Sequence, residues 1–208
     1  AAAGARAFVQ VSANGADAGS RVAYARTKAL GEAAVLAAFP TATILRPSVI
    51  FGPDDQFINM FAGLIASAPV LPVFAPEAKL QPVFVDDAAA AVAVALADPE
   101  RFGGQTFELV GPEAMTMLDL NQRIARAQGR STLFAPLPDA VAGLIAALPL
   151  TPISRDQLAL LKAGNVSTGL PGLAALGITA RPLGLYLDRW MVRFRQHGRF
   201  GTKRSAAG

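Results

Sequence analysis

Tyr24 and Lys28 stand four residues apart in Y-A-R-T-K, with Ser12 upstream and R-P-S-V-I-F-G-P downstream at 46–53. On a helix that spacing puts the phenol and the ammonium on one face. A cation beside a phenol favours phenolate and lowers its pKa. The tyrosine then becomes a usable proton donor or acceptor near neutral pH, which it otherwise is not. A serine hydroxyl can hold a substrate carbonyl or alcohol next to it. Ser12, Tyr24 and Lys28 together are equipment for moving a proton while a nicotinamide carries a hydride.

These residues need elements to position them. A-F-V-Q-V-S (7–12) reads as a buried strand that ends in the small polar loop A-N-G-A. Residues 22–39 read as a helix with an Ala-rich face, ended by Pro40. Residues 41–45 are a β-branched run, hence a strand that Arg46-Pro47 ends, and Gly52-Pro53-Asp54 is a turn. Further helices are expected over 56–67 and 117–128, with Thr116 or Asp119 near the start of the second. Short strands are expected over 83–85 and 105–110. Asp86 or Asp87 is expected to cap an Ala-rich helix running through Ala97. After Gly129 come proline-punctuated helices over 138–148, 154–163, 171–176 and 182–196.

Strands alternate with helices over the first 130 residues, the rhythm of a parallel sheet with helices on its faces. The expected architecture is α/β: a partial Rossmann-type parallel sheet with flanking helices (1–130), a small, mostly helical C-terminal lobe (131–196) and a basic tail (197–208). No internal repeat or low-complexity linker interrupts it.

Composition narrows the function. The chain has 208 residues, 52% hydrophobic, with no cysteine and one histidine, His197. Disulfides and thiolate metal sites are excluded, and no metal site is expected. The cysteine-free composition fits a cytoplasmic protein. Residues 57–76 form an uncharged run of 20, but Pro69, Pro72 and Pro76 break it, so no transmembrane span is expected. The net charge of +4 is uneven: 181–204 carries seven basic residues against Asp188, a net of +6 that leaves −2 on the rest. A body without a basic face or aromatic readout motif argues against nucleic acid. The tail instead suggests docking to an acidic subunit face or an anionic membrane surface. Trp190, Met191 and Phe194 share a helical stripe there that packs on the body or a partner. Arg46 is expected to be an ion-pair partner.

A dinucleotide fold opens with a strand, a G-x-G-x-x-G-type loop, a helix and an acidic or basic ribose reader about 20 residues further on. No such run is present, and the sequence is expected to enter the fold at the strand that delivers Ser12. NAD and NADP therefore both stay open as the cofactor.

V-Q-V-S-A-N-G-A (9–16), Y-A-R-T-K (24–28), T-I-L-R-P-S-V-I-F-G-P-D-D (43–55) and P-V-F-V-D-D-A-A-A-A (82–91) resemble the extended short-chain dehydrogenase/reductases. S-R-D-Q-L-A-L-L-K-A-G-N-V (154–166) and L-G-I-T-A-R-P-L (176–183) resemble the C-terminal lobe of one atypical branch. That branch holds the NAD(P)H-binding accessory subunit of respiratory complex I and its bacterial relatives, which are NAD-dependent epimerase/dehydratase-like. The resemblance implies a Rossmann fold with a helical lobe over the cofactor cleft. It makes Tyr24 the family tyrosine, Lys28 the lysine that also holds ribose hydroxyls, and Ser12 the family serine. Pro47, Ser48 and Val49 match the loop that lines the nicotinamide. Complex I members bind the dinucleotide as a structural element, and several lack the Y-x-x-x-K pair that this chain keeps. The implied roles are an accessory or assembly subunit of a respiratory NADH:quinone oxidoreductase, peripheral on its membrane, or an active oxidoreductase or epimerase. One departure is Gly164, where the resemblance leads one to expect an acidic residue before N-V.

Overall fold

The computed structural model describes residues 4–147 and 154–195. The chain runs β1 (Val9–Val11), α1 (Ala23–Ala38), β2 (Thr43–Pro47), β3 (Ile50–Phe51), α2 (Gln56–Ser67), β4 (Val70–Val73), β5 (Lys79–Leu80) and β6 (Val83–Phe84). It continues with α3 (Val85–Ala97), α4 (Pro99–Phe102), β7 (Thr106–Leu109), β8 (Met115–Thr116), α5 (Met117–Gln128), β9 (Leu133–Pro136), α6 (Asp139–Ile145), α7 (Arg155–Ala163) and α8 (Gly184–Trp190). Two 3₁₀ turns, Leu173–Leu176 and Met191–Phe194, stand where the ends of the helical patterns fall.

The main sheet is three-stranded and wholly parallel, in the order β1-β2-β7. α1 is the crossover between β1 and β2. α3 packs on the sheet with Ala88, Ala91 and Ala95 inward, side chains small enough for close approach of a helix to strands. Beneath lie Leu45, Val83, Phe102, Phe107 and Leu109, joined by Leu173 and Leu176. A second core holds Phe51, Ile58, Ile65, Leu120 and Ile124 together with Leu183, Leu187 and Met191, so the C-terminal segment is built into the body.

Local signals set the helices read correctly from sequence. Asp55 accepts from the Ile58 amide at the start of α2. Thr116 caps α5, and Gly129 closes it at φ 67°. Ser154 and Gln157 make a reciprocal capping box on α7.

The differences are as physical. The proline-rich stretch after Ser67 contains β4, which pairs in parallel with β9. Pro72 is tolerated because β4 has one partner, so its missing N–H costs no ladder bond on the open side. β2 runs through Pro47 rather than ending before it. Neither Asp86 nor Asp87 caps α3, which starts at Val85. Asp87 is buried and instead takes the Arg181 amide (2.8 Å) and guanidinium (2.7 Å). Arg181 lies over the Phe84 ring, which stacks in turn on Tyr186, and Tyr186 stacks on Trp190. The expected Trp190–Met191–Phe194 stripe thus packs on this chain's own body. Arg193 and Arg195 also turn inward, to the carbonyls of Pro53 and Ala127. Part of the basic segment's charge therefore stitches the fold together. Residues 196–208, including His197 and the expected tail, lie outside the described residues, as do 148–153 at the end of the expected 138–148 helix.

No helix among the described residues is long and apolar enough to cross a membrane.

Candidate cofactor cleft at the strand ends

In a parallel sheet the loops beyond the carboxyl ends of the strands gather at one edge, where α/β proteins bind ligands. Here the ladder continues past the strands and fixes those loops. The Ser12 amide donates to the Leu45 carbonyl (2.7 Å), the Asn14 amide to Pro47 (2.9 Å) and the Ser48 amide to Leu109 (2.9 Å). Ser12, Asn14, Pro47, Ser48 and Val49 are thereby brought to one edge. Val49 joins the second core, its carbonyl taken by the Val83 amide.

Ser12 is 3% exposed, and its Oγ has no hydrogen-bond partner among the described residues. A buried hydroxyl without a partner costs about 1–3 kcal/mol, so its persistence at a strand end needs a reason. A ligand oxygen would supply one.

Tyr24 and Lys28 sit on the first turns of α1. The Lys28 ammonium lies 5.6 Å from the centroid of the Tyr24 ring, and Tyr24 is half exposed. One more turn along, Glu32 is buried and receives Arg46 of β2 in a bidentate ion pair, Nε to Oε1 at 2.8 Å and Nη2 to Oε2 at 2.6 Å. Tyr24, Lys28 and Glu32 follow at intervals of four, so they share a side of the helix. Arg46 thus fixes the rotation of α1 at Glu32, while Tyr24, two turns earlier, stays half exposed. The Arg46 guanidinium is held more firmly protonated than usual, first by its hydrogen bond to Glu32.

A further segment at the strand ends comes from far along the chain. Residues 165–168 cross the strand ends. Asn14 Nδ2 donates to the Val166 carbonyl (2.8 Å), Ser48 Oγ to the Asn165 carbonyl (3.3 Å) and the Gln81 amide to the same carbonyl (2.9 Å). Gly164 leads in at φ 77°, where a Cβ would lie 3.1 Å from the Lys79 carbonyl oxygen. The acidic residue expected before N-V has no room or conformation here. Below the segment, Glu108 of β7 is 1% exposed. It accepts from the Ser167 hydroxyl (2.9 Å), the Thr168 amide (2.8 Å) and the Thr168 hydroxyl (2.7 Å). Burial pushes its carboxyl up, but Thr168, Ser167 and the Gly169 amide together outweigh that and hold it below the ordinary value. A carboxyl lowered on folding stabilises the native state above its unfolded pKa, and that stability is lost as pH falls through the folded value. Wild type should therefore lose its stability margin over Glu108→Gln on acidification, as read from urea midpoints at neutral and acid pH.

The sequence reading singled out Ser12, Tyr24, Lys28 and 47–49. It gives no site role to Asn14, Glu32, Glu108 or 165–168, although Asn14 and 165–166 fall in segments that carry the resemblance. A glutamate in the middle of the otherwise apolar strand F-E-L-V, and another in an Ala-rich helix, were the available signals.

A parallel βαβ sheet with a serine at one strand end and Tyr-x-x-x-Lys on the following helix defines a Rossmann-type protein of the short-chain dehydrogenase/reductase kind. More particularly, the chain belongs to the RmlD substrate binding domain family, whose model matches residues 16–167. It is 34% identical over 203 residues to "NADH dehydrogenase [ubiquinone] 1 alpha subcomplex subunit 9, mitochondrial" of Rattus norvegicus, covering 94% of this chain and 53% of that protein. It is 37% identical over 139 residues to the "Ceramide reductase" of Caulobacter vibrioides, covering 66% of this chain and 43% of that protein. Among solved structures, the NADPH-dependent quinone oxidoreductase QOR2 of Escherichia coli, complexed with NADPH, shares the fold at a TM-score of 0.67. It is 20% identical, with 87% of this chain and 64% of that one covered. The chain spans about half the length of the curated relatives it matches.

Proposed function

We propose that the protein is an NAD(P)H-binding, short-chain-dehydrogenase-like accessory or assembly subunit of a respiratory NADH:quinone oxidoreductase. The observation that carries this is the 34% identity to the rat subunit along 94% of the chain, which takes in the C-terminal segments as well as the sheet. The strand-end cleft supports a dinucleotide as the ligand. Ser12 offers an unpartnered hydroxyl, Lys28 a cation for ribose hydroxyls, Tyr24 a phenol beside it, and Pro47, Ser48 and Val49 an edge for the nicotinamide. Such a ligand stabilises the folded state by RT ln(1 + [L]/Kd), about 4 kcal/mol at a thousandfold excess. The subunit would sit peripherally on its membrane. Exposed Arg189 and the basic residues after 196 suit an acidic partner face or anionic headgroups. Tagged full-length protein should co-migrate with NADH:quinone oxidoreductase activity on native gels of solubilised membranes. Recovery only as a free protein that consumes NAD(P)H would overturn this reading.

The second reading, an active NAD(P)-dependent oxidoreductase or epimerase, is favoured by the complete Ser12, Tyr24 and Lys28 set and by the similarity to the Caulobacter reductase. A bound nicotinamide would supply hydride chemistry. Tyr24 would pass a proton to the substrate oxygen as it becomes an alcohol, Ser12 would donate a hydrogen bond to that oxygen, and Lys28 would stabilise the phenolate left behind. On this reading Tyr24→Phe in the full-length protein lowers kcat by roughly 10²–10⁴ with little change in cofactor affinity. On the subunit reading the same variant assembles and respires as wild type. Measuring turnover and respiration in one strain separates the two.

A further inference from the structure

We propose that residues 165–168 form a wall of the dinucleotide cleft, and that Glu108, without touching the ligand, is the positioning residue that holds this wall in place. The inference rests on the dinucleotide reading above.

Four observations carry it. The segment bonds directly to the two loops that frame the cleft, through Asn14 and Ser48. Backbone bonds hold it only at Asn165, which bridges to Leu80, while Val166, Ser167 and Thr168 are held by the side chains of Asn14, Gln81 and Glu108. Glu108, itself buried, gathers three donors from two consecutive and exposed residues, Ser167 and Thr168. The Asn165 side chain has a buried Oδ1 with no described partner, the second such orphan at these strand ends after Ser12 Oγ. Two unsatisfied polar groups at one edge, one at the end of β1 and one on the 165–168 segment, are what a polar ligand at that edge would resolve. A carboxamide and a hydroxyl fit the alternating donors and acceptors of a nicotinamide riboside.

Glu108 also completes a line of charge across the sheet. It stands opposite Arg46 in the β2–β7 register, and Arg46 holds Glu32 of α1. One wall, carrying Tyr24 and Lys28, and the other, carrying Asn165, are therefore tied to neighbouring positions of the same two strands. Displacing either changes the width of the cleft.

The test uses the full-length protein and NADPH and NADH as probes. Thr168→Val keeps the shape of the side chain and removes the hydroxyl donor to Glu108, while Thr168→Ser keeps the donor. Thr168→Val should weaken dinucleotide binding about tenfold, the loss of one charge-assisted hydrogen bond's worth of positioning. It should also speed amide exchange at 12–14 and 165–168. Thr168→Ser should bind as wild type does. Val and Ser variants with the wild-type Kd, in a protein that binds the dinucleotide, would overturn the positioning role and leave the cofactor reading standing. A wild-type protein that binds neither probe would overturn the cofactor reading itself, and this inference with it. Equal weakening in the Val and Ser variants would overturn the positioning role as well, since the shared hydroxyl would then be irrelevant.

Discussion

Gly111→Ala is expected to destabilise the fold by about 3 kcal/mol or more. Gly111 follows β7, and its amide donates to the Gln81 carbonyl (3.3 Å) while Gln81 Nε2 donates back to the Gly111 carbonyl (2.7 Å). The two backbones are in direct contact. A Cβ at 111 would fall inside the contact distance of the Pro82 carbonyl oxygen, closer than real Cβ atoms approach anything. The obstacle is main chain, so no rotamer relieves it. The next residues, Val83 and Phe84, are core, and Gln81 also accepts from the Ser167 amide. The clash would therefore push on the sheet and on the 165–168 segment together. Gly143→Ala makes the control. It is helical with open space around its Cβ position, and should be neutral or gain up to about 1 kcal/mol. Urea midpoints of the two variants check this. Equal midpoints would mean that the 82–111 contact is not formed in solution.

Where the sequence could be read, short-range physics was enough. Residues 56–67 and 117–128 carry their own start signals in Asp55 and Thr116, and their apolar faces have helical period. β2 and β7 are mostly buried and appear as short apolar runs, each interrupted by one charged residue, Arg46 and Glu108. β4 was hidden because proline is a poor strand signal, and its partner β9 lies some 60 residues away. The two-residue strands β5 and β8 are too short to carry any period. The candidate site divides in the same way. Tyr24 and Lys28 are neighbours on one helix, so spacing reveals them. Asn14 reaches Val166 across 152 residues and Glu108 reaches Thr168 across 60, distances at which only the folded register brings partners together. Asp87 shows the cost of local reasoning: its position suits a helix cap, yet its partner is Arg181, 94 residues on.

Arg46→Met should destabilise the protein by about 3 kcal/mol, because it strands the Glu32 carboxylate in a buried site without its partner. Glu32 is 7% exposed, and both of its oxygens are spent on the guanidinium. The Arg46 side chain keeps about a quarter of its exposure, so water offers some relief and the effect stays at the low end for a broken buried pair. Glu32→Leu combined with Arg46→Met should recover most of the lost stability, since an apolar pair of similar size replaces two desolvated charges at little net cost. Function need not follow stability. The ion pair sets the rotation of α1, and Lys28 and Tyr24 lie one and two turns before Glu32 on the same side. A greasy contact restores packing without that directional hold. In the full-length protein, dinucleotide affinity should therefore stay reduced in the double variant although its unfolding midpoint returns toward wild type. Recovery of both together would make the pair a packing device. Identical midpoints for the single and double variants would mean that Glu32 is solvated once Arg46 is gone.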